Sequence, residues 1–195
     1  MAKINPPKIA GKWRAGIALD VHTTESKYLG VDESGHDRFE NQRSELGELL
    51  YKLKYQGDAT AAPEIIRTAS DFLTPHREKF DLIVPVPPSR PRATQPVTAL
   101  ADGIGTSTGI PVVQCVTRTR PAGQLKDIVD PAKRAEALIG LHAVDVAQTE
   151  GKKVLLVDDL YRSGATLNAI TDLLLTEGKA ASVSVLTITR TRSNQ

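Results

Sequence analysis

Val154-Leu155-Leu156-Val157-Asp158-Asp159-Leu160-Tyr161-Arg162-Ser163-Gly164-Ala165-Thr166-Leu167 joins a strand, an acidic pair, a small-residue loop and a helix start. An apolar run without polar alternation reads as a strand of a parallel sheet covered on both faces. Backbone N–H groups at a helix N-terminus have no intrahelical partner, and the helix dipole favours an anion there. Gly164 lets the backbone approach an anion closely, and Ser163 and Thr166 supply hydroxyl donors on either side of Ala165. Asp158 and Asp159 cannot bind phosphate, but they suit ribose hydroxyls, or magnesium and its waters. A 5-phosphorylated ribose satisfies both halves. The plain alternative is a strand whose acids merely cap the next helix. A Walker B strand would also end in acids, but the chain has no G-x-x-x-x-G-K-[ST] loop to accompany it.

Outward from that stretch, apolar runs and helical periods alternate. Asp81–Val86 is a short strand-like run ending in prolines, followed by an expected helix over Thr94–Ile104 and another strand over Pro111–Val116. A short helix around Ala132–Leu138 precedes the central strand, and helix Thr166–Leu175 and strand Ser182–Ile188 follow it. The pattern predicts an α/β fold: a Rossmann-like, doubly wound parallel sheet from about residue 59 to 195, with ligands at the carboxyl ends of the strands. Residues 1–58 read as a small N-terminal hood. They hold two strand-like runs (Gly16–Val21 and Lys27–Val31), a turn at Asp32–Gly35, and a helix over Ser44–Tyr55 with Ser44 as N-cap and Gly57 as stop. A second helix is expected over Pro63–Leu73.

Composition sets outer limits. With 195 residues and 40% hydrophobic content the chain can bury a core without staples. A single cysteine, Cys115, excludes an internal disulfide framework, and His22, His36, His76 and His142 show no metal-ligand spacing. No run approaches transmembrane length and residues 1–11 lack a secretory apolar core, so a cytoplasmic protein without membrane association is the expectation. The net charge of +2 hides a basic segment, Arg118, Arg120, Lys126, Lys133 and Arg134 against Asp127 and Asp130. Such a cluster meets polyanions or is a solvated face. Aromatic residues do not interleave with it, which argues against direct nucleic-acid binding.

The Val154–Leu167 stretch resembles the phosphoribosyl pyrophosphate (PRPP) motif of type I phosphoribosyltransferases, with Arg162-Ser163-Gly164 where the family usually has Thr-Thr-Gly. Lys54-Tyr55-Gln56-Gly57-Asp58, Val84-Pro85-Val86-Pro87, and Arg120, Gln124, Arg134 and Gly140 in order make it similar to the ComF-like branch over roughly residues 44–190. The cysteine zinc module with which that branch usually opens has no counterpart, Ala137 and His142 stand where Asn and Phe are expected, and Ala93-Thr94-Gln95 departs from the usual run after the prolines.

The resemblance implies a phosphoribosyltransferase. Asp158 and Asp159 would hold the ribose and magnesium, and Arg162 to Thr166 (with Ser163, Gly164 and Ala165) the 5-phosphate. Pro87, Pro88, Ser89, Arg90 and Arg92 would hold pyrophosphate beneath a mobile loop bearing Arg118, Arg120, Gln124, Lys126 and Arg134. Lys54 and Tyr55 would face the acceptor, a small molecule. Asp20 and His22 are the nearby acid–base candidates. It implies a possible homodimer. Two alternatives stay open: a PRPP-sensing regulator without catalysis, and a toxin of a phage-defence pair with a DprA-like partner. A glutamine amidotransferase is set aside, since residue 2 is Ala and Cys115 is read as mid-strand.

Overall fold

The computed structural model describes residues 1–88, 95–120 and 130–192, with residues 131, 132, 134 and 135 traced through their backbone alone. Four parallel strands form the central sheet, in the order β1 (Ala15–Val21), β8 (Ser182–Arg190), β7 (Lys153–Tyr161), β4 (Leu82–Pro85). Successive side chains of a strand point to opposite faces, and both faces are buried here. Leu155 and Val157 of β7 join the core formed by α1 (Glu45–Tyr51), α2 (Ala62–Leu73) and α3 (Pro96–Thr108). Val154 and Leu156 join the opposite core, with Leu167, Ile170 and Leu174 of α6 (Ala165–Thr176) and with Trp13. The lack of polar alternation in β7 follows from this double coverage, and the doubly wound α/β reading holds.

Three local expectations are corrected. First, β1 comes from the expected hood yet lies in the main sheet, so a boundary near residue 59 does not separate hood from core. Its Ala15↔Ser184 to Val21↔Arg190 register with β8 is that of a core strand. Second, the expected strand over 111–116 does not form: Val112 makes one bridge to Ile83, after which the chain leaves the sheet, and only Val116 is in a strand. β5 (Val116–Arg118) then pairs antiparallel with β6 (His142–Val144) in a separate ribbon. Cys115 is therefore buried in the connection before β5 rather than mid-strand. Third, the N-terminal strand-like run at Lys27–Val31 is longer, β2 (Thr23–Val31), and pairs with an unexpected β3 (Asp37–Arg43).

The expected helix after residue 44 is composite. Ser44 Oγ accepts the Gly47 N–H at 3.0 Å and donates to Val21 O at 2.6 Å, so one hydroxyl caps α1 and ties it to the end of β1. A Cβ at Gly47 would lie 2.1 Å from His22 O, which is why this turn of helix can sit so near the strand. From Lys52 to Gln56 the helix widens into a π turn, with the Gly57 N–H returning to Lys52 O and Gly57 left-handed at its end (φ 67°). That wider turn carries Lys54 over the strand ends. Helix α4 (Pro131–Leu138) and the single-turn α5 (Val146–Thr149) complete the described elements.

Candidate active site

The side-chain alternation of β7 divides the acidic pair. Asp158 continues the row of Val154 and Leu156 toward α6, and Asp159 continues the row of Leu155 and Val157 toward α1. The Lys54 ammonium meets Asp159 there, Nζ to Oδ2 at 2.7 Å, with the two side chains only 18% and 13% exposed. Asp158 Oδ1 accepts the Asp159 N–H at 2.8 Å. Burial, and next the neighbouring Asp159 carboxylate, push the Asp158 carboxyl up to about 8. Two carboxylates at one strand end disfavour double ionisation, and a cation on one of them relieves part of that cost.

A cleft of about 220 Å³ opens above the pair, lined by Asp158, Asp159, Lys54, Arg118 and Thr166 together with Val86, Pro87, Pro88, Gln95, Pro96 and Val97. The Val86 N–H donates to Val157 O at 2.9 Å, which pins the proline turn beside the acids. On the far side, α6 begins at Gly164 (φ 73°), with no side chain capping it among the described residues. Its first-turn N–H groups thus lack a side-chain acceptor, as an anion cradle requires. Gly164 is held tightly: a Cβ there would lie 2.8 Å from Tyr161 Cε2. The Tyr161 hydroxyl in turn donates to Ala10 O, and its ring meets Trp13 edge-on at 6.3 Å.

The structure thus brings Asp158, Asp159, Thr166, Pro87, Pro88, Arg118 and Lys54 together. Arg118 enters from β5 with Nε and Nη1 buried and, among the described residues, without a hydrogen-bond partner, and burial lowers its proton affinity. Arg120 does not line the cleft; it donates to the carbonyls of Ala137 and Ile139 at the C-terminus of α4. Arg162 and Ser163 are exposed, and Ser163 and Ala165 line a separate groove of about 790 Å³ beside α6. Tyr55 is 64% exposed and stacks on Tyr51 rather than lining the cleft. Ser89, Arg90, Arg92, Gln124 and Lys126 lie outside the described residues, as does the Arg134 side chain. Asp20 is buried, accepts the Val21 N–H and is pushed up by burial, a structural placement. His22 Nδ1 lies 3.2 Å from Thr189 Oγ1, and burial, then Arg43 and Lys54, lower its proton affinity.

Sequence reasoning missed Gln95, Pro96 and Val97 as lining residues, and it missed the Lys54–Asp159 pair. The proline turn was the signal for the first three, since any element following it starts at the cleft. No sequence signal announces the π turn that aims Lys54.

The competence protein ComFC of Bacillus subtilis is 32% identical to this chain over 150 residues, 73% of this chain and 59% of ComFC. The model of the phosphoribosyl transferase domain family matches residues 125–195. Residues 125–195 thus match the phosphoribosyl transferase domain family, and the chain is similar to ComFC over 150 residues. It spans 59% of ComFC's length, so the two are not matched end to end. Among solved structures, glutamine PRPP amidotransferase from B. subtilis, complexed with ADP and GMP, is similar with a TM-score of 0.50 at 20% identity, covering 81% of this chain and 35% of that one. Adenine phosphoribosyl transferase from Trypanosoma brucei, in complex with AMP, pyrophosphate and ribose-5-phosphate, gives a TM-score of 0.50 at 13% identity, covering 94% and 73%. At such identities these two likenesses establish the phosphoribosyltransferase fold alone. Among the described residues, no helix is long and apolar enough to cross a membrane.

Proposed function

We propose that the chain binds PRPP with magnesium and transfers its 5-phosphoribosyl group to a small-molecule acceptor, releasing pyrophosphate. One observation carries this reading: the acidic pair and Thr166, in the first turn of α6, line the same cleft and belong to one chain segment. Asp158 and Asp159 would hold the ribose hydroxyls, the backbone of Arg162 to Thr166 the 5-phosphate, and Arg118 with the turn after Pro87 and Pro88 the pyrophosphate. Lys54 stands at the acceptor side, on the α1 face of the acids.

Two hard carboxylate oxygens fit magnesium held mainly by substrate oxygens and water, not an all-protein cage. Among the described residues no group of three or more His, Cys, Asp and Glu side chains is placed to hold a metal by itself. Asp158 and Asp159 would be its protein contacts, and the ion would supply charge to the pyrophosphate. The protein's own residues then do two things. They orient the anomeric carbon toward the acceptor, and they stabilise negative charge on the departing pyrophosphate through Arg118 and backbone N–H groups. A transition state of oxocarbenium character needs no covalent residue.

Phosphorus NMR of the protein with PRPP, magnesium and a mixture of nucleobases, ammonia and cell extract tests the proposal. Protein-dependent release of pyrophosphate, abolished in Asp158→Asn/Asp159→Asn, supports it. Wild-type release by that double variant refutes the assignment of the acids. The Lys54–Asp159 contact favours one second reading, a PRPP-binding regulator whose ribose site is already engaged. PRPP signals broadened by the protein without any turnover would select it.

A further inference from the structure

Strands β2 and β3 form a two-stranded hairpin that projects from the end of β1, and nearly all of its residues are exposed. Four large apolar side chains are exposed on it: Tyr28, Leu29, Val31 and Phe39, each about half accessible. Tyr28 and Phe39 pair across the strands with ring centroids 5.4 Å apart. A two-stranded sheet is marginal in water, and further strands or a packed face normally complete it.

The two edges of the hairpin differ. The ladder runs Thr23↔Arg43 then Glu25↔Gln42, and Tyr28↔Phe39 then Gly30↔Arg38, so the extra residues, Thr24 and Leu29, both sit in β2. Bulges of this kind twist an edge away from pairing. β3 has no bulge, no proline and no glycine over its seven residues. Its first half includes Arg38-Phe39-Glu40, and among the described residues neither Arg38 nor Glu40 has an ion-pair partner.

We infer that β3 pairs with β3 of a second copy of this chain, antiparallel about a twofold axis at Phe39. Two identical antiparallel strands related by a twofold axis must place one residue opposite its own copy. An axis at Arg38 or at Glu40 would oppose like charges. An axis at Phe39 sets each Arg38 against the partner's Glu40 and each Phe39 against the partner's Phe39. The product is a four-stranded sheet, β2-β3-β3-β2. One face carries a stripe of four rings, from Tyr28 and Phe39 of each copy. The other face carries Lys27, Glu40 and the partner's Arg38 in one row of alternating sign, repeated by symmetry, because Lys27 lies opposite Glu40 within each hairpin. The charge complementarity and the unguarded edge together select a second copy as the occupant.

The test is sedimentation of the full chain and of two charge-reversal variants at micromolar concentration. The wild type is expected at about twice its 21.0 kDa mass. Glu40→Arg and Arg38→Glu each place like charges across the axis twice, so each should self-associate about a hundredfold more weakly or less. Mixed in equal amounts they should form a heterodimer, since Arg then faces Glu at both contacts. Phe39→Cys should cross-link to its own copy on oxidation, while Asn41→Cys should not. A wild type that stays monomeric, variants that remain dimeric separately, or monomeric variants that ignore each other on mixing would each overturn the inference. All these positions are exposed, so circular dichroism of each variant should match the wild type and show that the fold is retained.

Discussion

Replacing Lys54 by Met removes the cation from Asp159 while keeping most of the side chain's length and apolar stem. Exposed ion pairs contribute about 0–1 kcal/mol, whereas removing one partner of a buried pair costs about 3–5 kcal/mol. At 18% and 13% exposure the Lys54–Asp159 pair lies nearer the buried limit, but the cleft admits water to Asp159. A loss of about 2–3 kcal/mol is the expected outcome for Lys54→Met. Asp159→Asn should cost less, because the flexible lysine left behind can swing its ammonium into solvent. The double variant should cost little more than Lys54→Met alone, giving a coupling of about 1–2 kcal/mol. Urea unfolding of the four proteins measures this directly, and with about 2–4 °C per kcal/mol the single lysine variant should melt roughly 4–12 °C lower. Additive effects, within about 0.5 kcal/mol, would show that the 2.7 Å contact contributes nothing, and the reasoning would fail.

Two further outcomes follow from the same geometry. Gly164→Ala combines a left-handed backbone (φ 73°) with a Cβ 2.8 Å from Tyr161, whose ring is held by Trp13 and by the bond to Ala10 O. It should destabilise by about 2–3 kcal/mol and weaken PRPP binding by crowding the start of α6, and an unchanged melting temperature would refute the strain. His142 is buried with neither ring nitrogen hydrogen-bonded among the described residues, and burial, then Arg118, lower its pKa to about 4. The unfolded chain therefore takes up the proton first as pH falls, and wild-type stability drops between about pH 6.5 and 4, by up to about 3 kcal/mol. His142→Phe should lack this loss, so its stability relative to wild type should rise as pH falls. An unchanged difference in urea midpoint between pH 7 and pH 5 would contradict the burial of a neutral ring.

The parts of the fold that were legible in sequence are those in which local chemistry and tertiary role coincide. β7 reads as a doubly covered strand because Val154 to Val157 are apolar without alternation, and both of its faces are indeed packed. Ser44 reads as a cap because its hydroxyl satisfies a backbone donor three residues on. β3 was invisible for the opposite reason: Asp-Arg-Phe-Glu-Asn-Gln-Arg buries almost nothing, so no hydrophobic period marks it. Residues 111–116 are apolar enough for a strand, but one bridge to β4 exhausts their pairing before the chain turns to meet β6. β1 was recognised as strand-like and misplaced, because its apolar run says that it is buried but not which strand it lies beside.

By itself, then, the order of residues determined the acid pair, the glycine-bearing loop and the helix that follows, since these are consecutive and their spacing needs no other part of the chain. The tertiary structure alone decided what surrounds them. Lys54 reaches Asp159 across more than a hundred intervening residues. Arg118 enters from a ribbon outside the main sheet. Contacts of that kind depend on strand order and on the width of one helical turn, and neither is written in any local window of sequence.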